Sequence, residues 1–296
     1  MKLSSNKTRQ LDMDNDLWLS ACSTLSDAMS HFEVPSGCGH GSSINADGTP
    51  FQIAWASNGR VQATKVIVDP FPYLSAREQR QRVLERLPSW TGMPQDPDSN
   101  FLHHIASFGS ISGGKANRFW VASSIDRQDT EIYSSLAGDT MRQREKELSC
   151  LMDRLDCRAP FSLSDFRLGP ISVSSSKTSL SVYLRPQSIE SVLSLLPTEL
   201  ASFFAFFSGS FVSSNGLLLC IKLRKNDIVG IKLDLCAHCV TPTESSASNV
   251  AKTLGNAFMG RPINLPQDTK TAFWGASHTP KGLRIYVYLV PKETLS

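Results

Sequence analysis

The sequence predicts an α+β fold: a closed, ten-stranded antiparallel β-barrel of five helix-hairpin (ααββ) units, with helices outside and a ligand lumen inside. Three observations carry this. Ten short runs pair through turn signals into five hairpins, each preceded by a helical stretch. The second strand of each hairpin alternates an aliphatic face with a polar, tyrosine-bearing face. The helices need an apolar partner for their stripes. Closing the sheet turns every aliphatic face toward them and removes exposed edges.

Each unit follows from local signals. Residues 14–33 place Leu17, Ala21, Leu25, Met29 and Phe32 on one helical face. A Gly/Ser-rich loop over 36–49 precedes runs 51–57 and 61–69, joined at Asn58-Gly59, a strong hairpin signal. Ser75 with Glu78 reads as a capping box that starts a helix over 75–87. Residues 88–97, bounded by prolines, read as loop. After a short helix at 101–108, runs 118–125 and 130–136 meet across Asp126–Asp129. A helix over 139–156 leads to runs 166–174 and 178–185, joined across Ser175–Lys177. The apolar stretch 188–207 divides into two helices at Pro197 and leads to runs 216–224 and 228–237, joined at Lys225–Asp227. A helix over 245–258 leads to runs 271–277 and 283–290, joined through Pro280–Gly282. The units share little sequence and recur about every sixty residues, longer than common solenoid repeats, so the repeat is architectural.

A chain of 296 residues can bury a large core and reads as one domain over 1–296. With 41% apolar and 19% charged residues it is a folding chain, not a disordered one. No apolar run reaches the roughly eighteen residues that a spanning helix needs. Met1–Asp16 lacks the apolar core of a secretory signal. A net charge of +3 is too small for a nucleic-acid surface. Seven cysteines, an odd number without a signal, fit reduced thiols in a cytoplasm.

The polar strand faces carry the chemistry. Leu283, Ile285, Val287 and Leu289 oppose Arg284, Tyr286 and Tyr288. Ile231, Leu233 and Leu235 oppose Lys232 and Asp234, and Leu180, Val182 and Leu184 oppose Ser181, Tyr183 and Arg185. Val66 and Val68 oppose Lys65 and Ile67, and Ile132 opposes Glu131 and Tyr133. In a closed barrel the second set lines the lumen, and ten strands leave room for a ligand. On an open sheet the same face would be solvated, a setting that favours Thr, Lys and Glu over Tyr.

The lumen cations Lys65, Lys232 and Arg284, with Lys222, Arg224 and Arg185 as further candidates, outnumber the carboxylates Glu131 and Asp234; a solvated hairpin tip is the plainer reading of Lys222 and Arg224. Buried cations need partners, and a diphosphate would balance the excess. Four of the five tyrosines, Tyr133, Tyr183, Tyr286 and Tyr288, turn phenol faces inward. Each can stabilise a nearby cation by about 0.5–2 kcal/mol. This combination suits ionisation of an allylic diphosphate, with the carbocation shielded from water and captured by an aromatic acceptor. Trp120 and Trp274 are candidates for stacking on that acceptor, with packing as the plainer role.

The stretch Asp47-Gly48-Thr49-Pro50-Phe51-Gln52-Ile53-Ala54-Trp55, followed by Thr64-Lys65-Val66-Ile67-Val68-Asp69-Pro70, resembles the first hairpin of indole prenyltransferases of the dimethylallyltryptophan synthase type. Ser181–Pro186, Gly230–Asp234 and Leu283–Tyr288 resemble the ends of later hairpins in the same αββα-barrel superfamily. The resemblance implies a ten-stranded prenyltransferase barrel. It makes Lys65 a diphosphate ligand and puts Lys232, Arg284, Tyr183, Tyr286 and Tyr288 at or near diphosphate and cation-shield positions. Gln52 stands where the indole enzymes carry a glutamate that accepts the indole N–H and acts as base. An amide can accept that hydrogen bond but cannot take the proton. Ser179 and Ser181 replace a basic pair, and Glu131 replaces a lysine. The catalytic candidates are therefore Gln52, Glu131 and Asp234, the two carboxylates as base or as Mg²⁺ ligands.

The resulting expectation is transfer of a dimethylallyl or longer allylic group to an indole or other aromatic acceptor. The alternatives are a peptide prenyltransferase of the cyanobactin type and a non-catalytic ligand-binding barrel. Partners are an allylic diphosphate and an aromatic small molecule or peptide, with no nucleic acid and no membrane. The chain is expected as a monomer or weak dimer without a cofactor, Mg²⁺ being left open. Gly109–Ala116 nearly matches a P-loop, but Ala116 takes the place of the Mg²⁺-binding hydroxyl and a strand follows. Cys236, His238 and Cys239 with Cys38 and His40 lack the matched spacing of a zinc site, and His103-His104 are adjacent, so no metal site is expected.

Overall fold

The computed structural model describes residues 4–34, 42, 49–57, 61–91, 118–124, 130–135, 140–158, 166–174, 177–208, 216–239, 247–280 and 282–291. Ten strands run in chain order: β1 (Phe51–Ser57), β2 (Val61–Val68), β3 (Phe119–Ser124), β4 (Thr130–Ser135), β5 (Phe166–Ser174), β6 (Lys177–Pro186), β7 (Leu217–Arg224), β8 (Asp227–Cys236), β9 (Thr269–Thr279) and β10 (Gly282–Pro291). Each pairs antiparallel with its sequence neighbour, and β1 pairs with β10 to close the barrel, Ala54 opposite Tyr288. The helices between them are α1 (Ser4–His31), α2 (Ala76–Thr91), α3 (Met141–Arg154), α4 (Ile189–Leu193), α5 (Thr198–Ser208) and α6 (Ala247–Met259). Among the described residues none is long and apolar enough to cross a membrane.

The core lies between barrel and helices. Ile53, Val66, Val121, Ile132, Ile171, Val182, Leu219, Leu233, Ala276 and Val287, one from each strand, are at most 1% exposed. Alternation makes this possible, since each flanking residue turns to the lumen instead. The helix α1 adds Ala21, Leu25 and Met29 to this layer, and Phe32 just past its end joins them, as the spacing predicts. Leu17, expected on the same stripe, is exposed, while Trp18 beside it meets Trp55 edge-on at 6.0 Å. Phe203 and Phe207 of α5 pack between Phe258 of α6 and Trp274 of β9.

The capping boxes form. The Glu78 amide donates to the Ser75 hydroxyl at 3.3 Å, and the Ser75 amide donates to the Glu78 carboxylate at 3.0 Å. Thr140 and Gln143 do the same for α3. The loop expected from residue 88 is a correction: α2 runs through Pro88 to Thr91. Trp90 is held between Phe32 at 5.1 Å and Phe71 at 6.1 Å, and that burial offsets the backbone bond lost at the proline. Buried Gln79 fastens α2 to the barrel. Its amide donates to Asp69 at 2.6 Å and to the Pro70 carbonyl at 2.7 Å, and its oxygen accepts from the Phe119 amide at 3.0 Å. The Asn58-Gly59 and Asp126–Asp129 turns and the helix at 101–108 lie outside the described residues.

Candidate active site in the barrel lumen

The lumen holds a cavity of about 160 Å³. Gln52, Trp120, Tyr133, Tyr183, Lys232, Asp234 and Tyr288 line it, all of them expected from sequence. Ile67 lies with them, as its alternation with Val66 predicts. Arg185, a further lumen cation candidate from sequence, lines it too, and Phe273, Leu218 and Pro170, which sequence did not single out, complete the wall. Phe273 sits opposite Tyr288, and its ring meets that tyrosine edge-on at 6.1 Å. The strand β7 is apolar on both faces at Leu217–Leu219, so periodicity carries no signal for Leu218.

Trp274 is not part of this lining. It alternates with Phe273, packs against Phe207 at 6.1 Å in the outer core and is 2% exposed, so it cannot reach a lumen ligand. Trp55 faces the same outer layer.

Two ion pairs organise the charges. Lys232 and Asp234 share one face of β8, and their charged atoms are 2.6 Å apart. Desolvation pulls the Lys232 ammonium down, but Asp234, together with Tyr288, Cys220 and Tyr133, more than offsets this and its pKa is raised. Desolvation pushes the Asp234 carboxyl up against the pull of Lys232. Only Oδ2 takes part in the pair; buried Oδ1 has no hydrogen-bond partner among the described residues. Oδ1 lies over the Cα of Gly275, where a Cβ would overlap it.

The second pair joins Lys65 of β2 to Glu131 of β4. Glu131 also accepts from Ser172 at 2.8 Å and from the Tyr133 hydroxyl at 3.1 Å. Desolvation pushes the Glu131 carboxyl up, but the charges of Lys65 and Lys222 and the hydrogen bonds from Lys65 and Ser172 bring it down to about 2. Glu131 is thus a firmly ionised carboxylate with both oxygens occupied.

The phenols cluster around the cation. The Lys232 ammonium lies 4.8 Å from the Tyr288 ring centre, 5.6 Å from Tyr286 and 5.8 Å from Tyr183. Tyr286 and Tyr288 stack at 6.3 Å, and Tyr133 and Tyr183 meet at 6.0 Å. Desolvation raises the hydroxyl pKa values of Tyr133, Tyr183 and Tyr288, so these phenols stay neutral. Arg284 lies 5.9 Å from the Tyr286 ring, with its buried Nε lacking a hydrogen-bond partner among the described residues. Gln52 is 7% exposed, and its Oε1 likewise has none.

Solved structures share this architecture. The 5-dimethylallyltryptophan synthase from Streptomyces coelicolor superposes with a TM-score of 0.70 at 15% identity, over 93% of this chain and 92% of that one. The fold is that of the dimethylallyltryptophan synthases. The apo prenyltransferase PriB matches this synthase fold with a TM-score of 0.69 at 14% identity, over 94% of this chain and 93% of its own. The 6-dimethylallyltryptophan synthase from Micromonospora olivasterospora, in complex with DMASPP and Trp, gives 0.64 at 14% identity, over 88% and 86%. No family model and no curated protein matches the chain.

The P-loop-like segment 109–116, the pair at 103–104 and the residues at 38 and 40 lie outside the described residues. Among the described residues no group of three His, Cys, Asp or Glu side chains is placed to hold a metal ion.

Proposed function

We propose that this barrel transfers a dimethylallyl or longer allylic group from its diphosphate to an indole or other aromatic acceptor. One observation carries the reading: three phenol rings surround the Lys232 ammonium at 4.8–5.8 Å inside the barrel. A place that holds one cation against phenol faces can hold another. The structural neighbours support the choice, being solved with DMASPP and Trp or, for PriB, with product diphosphate.

The steps follow from the side chains. Lys65, Lys232, Lys222 and Arg284 take the diphosphate oxygens. The allylic C–O bond breaks and its electron pair leaves with the diphosphate. Tyr133, Tyr183, Tyr286 and Tyr288 screen the allylic cation from water. Gln52 Oε1 accepts an N–H or O–H of the acceptor and orients the ring beside Trp120. An aromatic carbon forms the new C–C bond, and the proton on that carbon passes to a carboxylate. Asp234 takes it, because its Oδ1 is open while both oxygens of Glu131 are occupied. The reading needs one domain and one chain and calls for no resident cofactor. It places the enzyme in the cytoplasm.

The test is incubation with dimethylallyl and geranyl diphosphates and a panel of tryptophan, phenols and peptides, followed by mass spectrometry. A gain of one prenyl unit on an aromatic acceptor is the expected result. No gain with any pair would overturn the reading.

A second reading, a ligand-binding barrel without chemistry, draws on a specific observation. Lys65 and Lys232 are each already paired with an internal carboxylate. Diphosphate binding without turnover across the panel would select this reading.

A further inference from the structure

Glu131 is surrounded as a bound anion would be. Lys65 of β2 pairs with it, Ser172 of β5 donates to Oε1, and Tyr133 of its own strand donates to Oε2. Lys222 of β7 adds a further positive charge. Donors from separate strands converging on one carboxylate make an anion site, here filled by the chain itself. The physical need is clear. Glu131 itself is buried, and an empty lumen would otherwise leave the half-buried Lys65 ammonium beside it without an anionic partner.

We propose that Glu131 is a built-in stand-in for the diphosphate: it neutralises Lys65 while the lumen is empty and is displaced from Lys65 by the anionic end of the donor. The proposal rests on the diphosphate reading above and adds what the donor must compete with. Donor affinity is then set by a difference, the gain at Lys65 from diphosphate less the gain already taken by Glu131. A singly charged anion gains little more than Glu131 already provides. A diphosphate, with charge for both Lys65 and Lys232, gains more. The stand-in thereby stabilises the empty barrel and selects against small anions.

Inorganic diphosphate titrated into the full chain by calorimetry, with melting curves of the empty protein, tests this. Glu131→Gln should lower the melting temperature yet bind diphosphate about tenfold more tightly, the scale of one charge-assisted contact. The gain should vanish when Lys65→Ala is added. A purely structural Glu131 would lower stability and affinity together. Glu131→Asp keeps the charge but withdraws it from Lys65, and it serves as the milder variant should Glu131→Gln fail to fold; it should tighten binding by a smaller factor. Wild-type binding with unchanged or weaker affinity in the variants overturns the proposal and leaves the prenyl-transfer reading standing. No binding by wild type or by any variant overturns both. Binding that appears only when Glu131 is replaced supports the proposal.

Discussion

Lys232 and Asp234 lie two residues apart on one face of β8, and their charged ends meet at 2.6 Å inside the barrel. Their side chains are 17% and 7% exposed, so this pair is largely desolvated. Removing one member of such a pair typically costs about 3–5 kcal/mol, because the other is left buried and uncompensated. Asp234→Asn is therefore expected to lower the unfolding free energy by about 3 kcal/mol in a urea titration. Adding Lys232→Met should restore most of that loss while turnover stays absent. Equal stability of Asp234→Asn and wild type would show that the pair does not hold the lumen.

The tyrosine cage predicts a contrast between two substitutions at one site. Tyr288→Phe keeps the ring that stands 4.8 Å from the Lys232 ammonium and should retain most activity. Tyr288→Leu removes the π-face and should cost about 1–2 kcal/mol of transition-state stabilisation, roughly tenfold in kcat/KM. Equal rates for the two variants would argue that the ring only fills space.

Gly275 leaves the room that the Asp234 carboxylate occupies. Gly275→Ala forces that carboxylate to turn while the backbone register with Asp234 and Tyr286 can persist. The expected result is a folded protein, destabilised by about 1 kcal/mol. Its kcat should fall more than its donor affinity. Steady-state kinetics with a separate diphosphate titration resolves the two quantities.

Stability should depend on acid pH through Glu131. Its folded pKa lies near 2, below the ordinary 4.5, despite the opposing effect of desolvation. A carboxyl depressed in the folded state contributes stability above its unfolded pKa and loses it as pH falls toward the folded value. Asp234, raised by desolvation, acts with the opposite sign. Melting temperatures of wild type should thus drop between about pH 4.5 and pH 2, and Glu131→Gln should flatten that limb. A limb that is unaltered in the variant would assign the acid sensitivity to other groups.

The barrel was legible because alternation is a local property. Any strand that reads Leu283, Ile285, Val287 on one side and Arg284, Tyr286, Tyr288 on the other announces two different surroundings. The same rule applied to β9 separates Trp274 from Phe273 and puts the phenyl ring, not the indole, in the lumen. Pro88 misled because proline usually ends a helix, while the burial of Trp90 beyond it is a tertiary effect. The Lys65–Glu131 pair bridges strands from different hairpins that are not sequence neighbours along the turn. Which lumen side chains meet depends on the stagger of the closed sheet, and no single strand encodes that.

Closure also sets the order of assembly. Four of the nine sequence-adjacent pairings link hairpins to one another and five form within hairpins, but β1 against β10 joins the two ends of the barrel sequence. That seam carries the largest loop-closure entropy in the molecule. It must form late and slowly, after the local hairpins exist. Until then the rows of Ala54 and Tyr288 are open strand edges, liable to pair with another chain. Refolding at low protein concentration is the condition that favours the seam over its intermolecular rival.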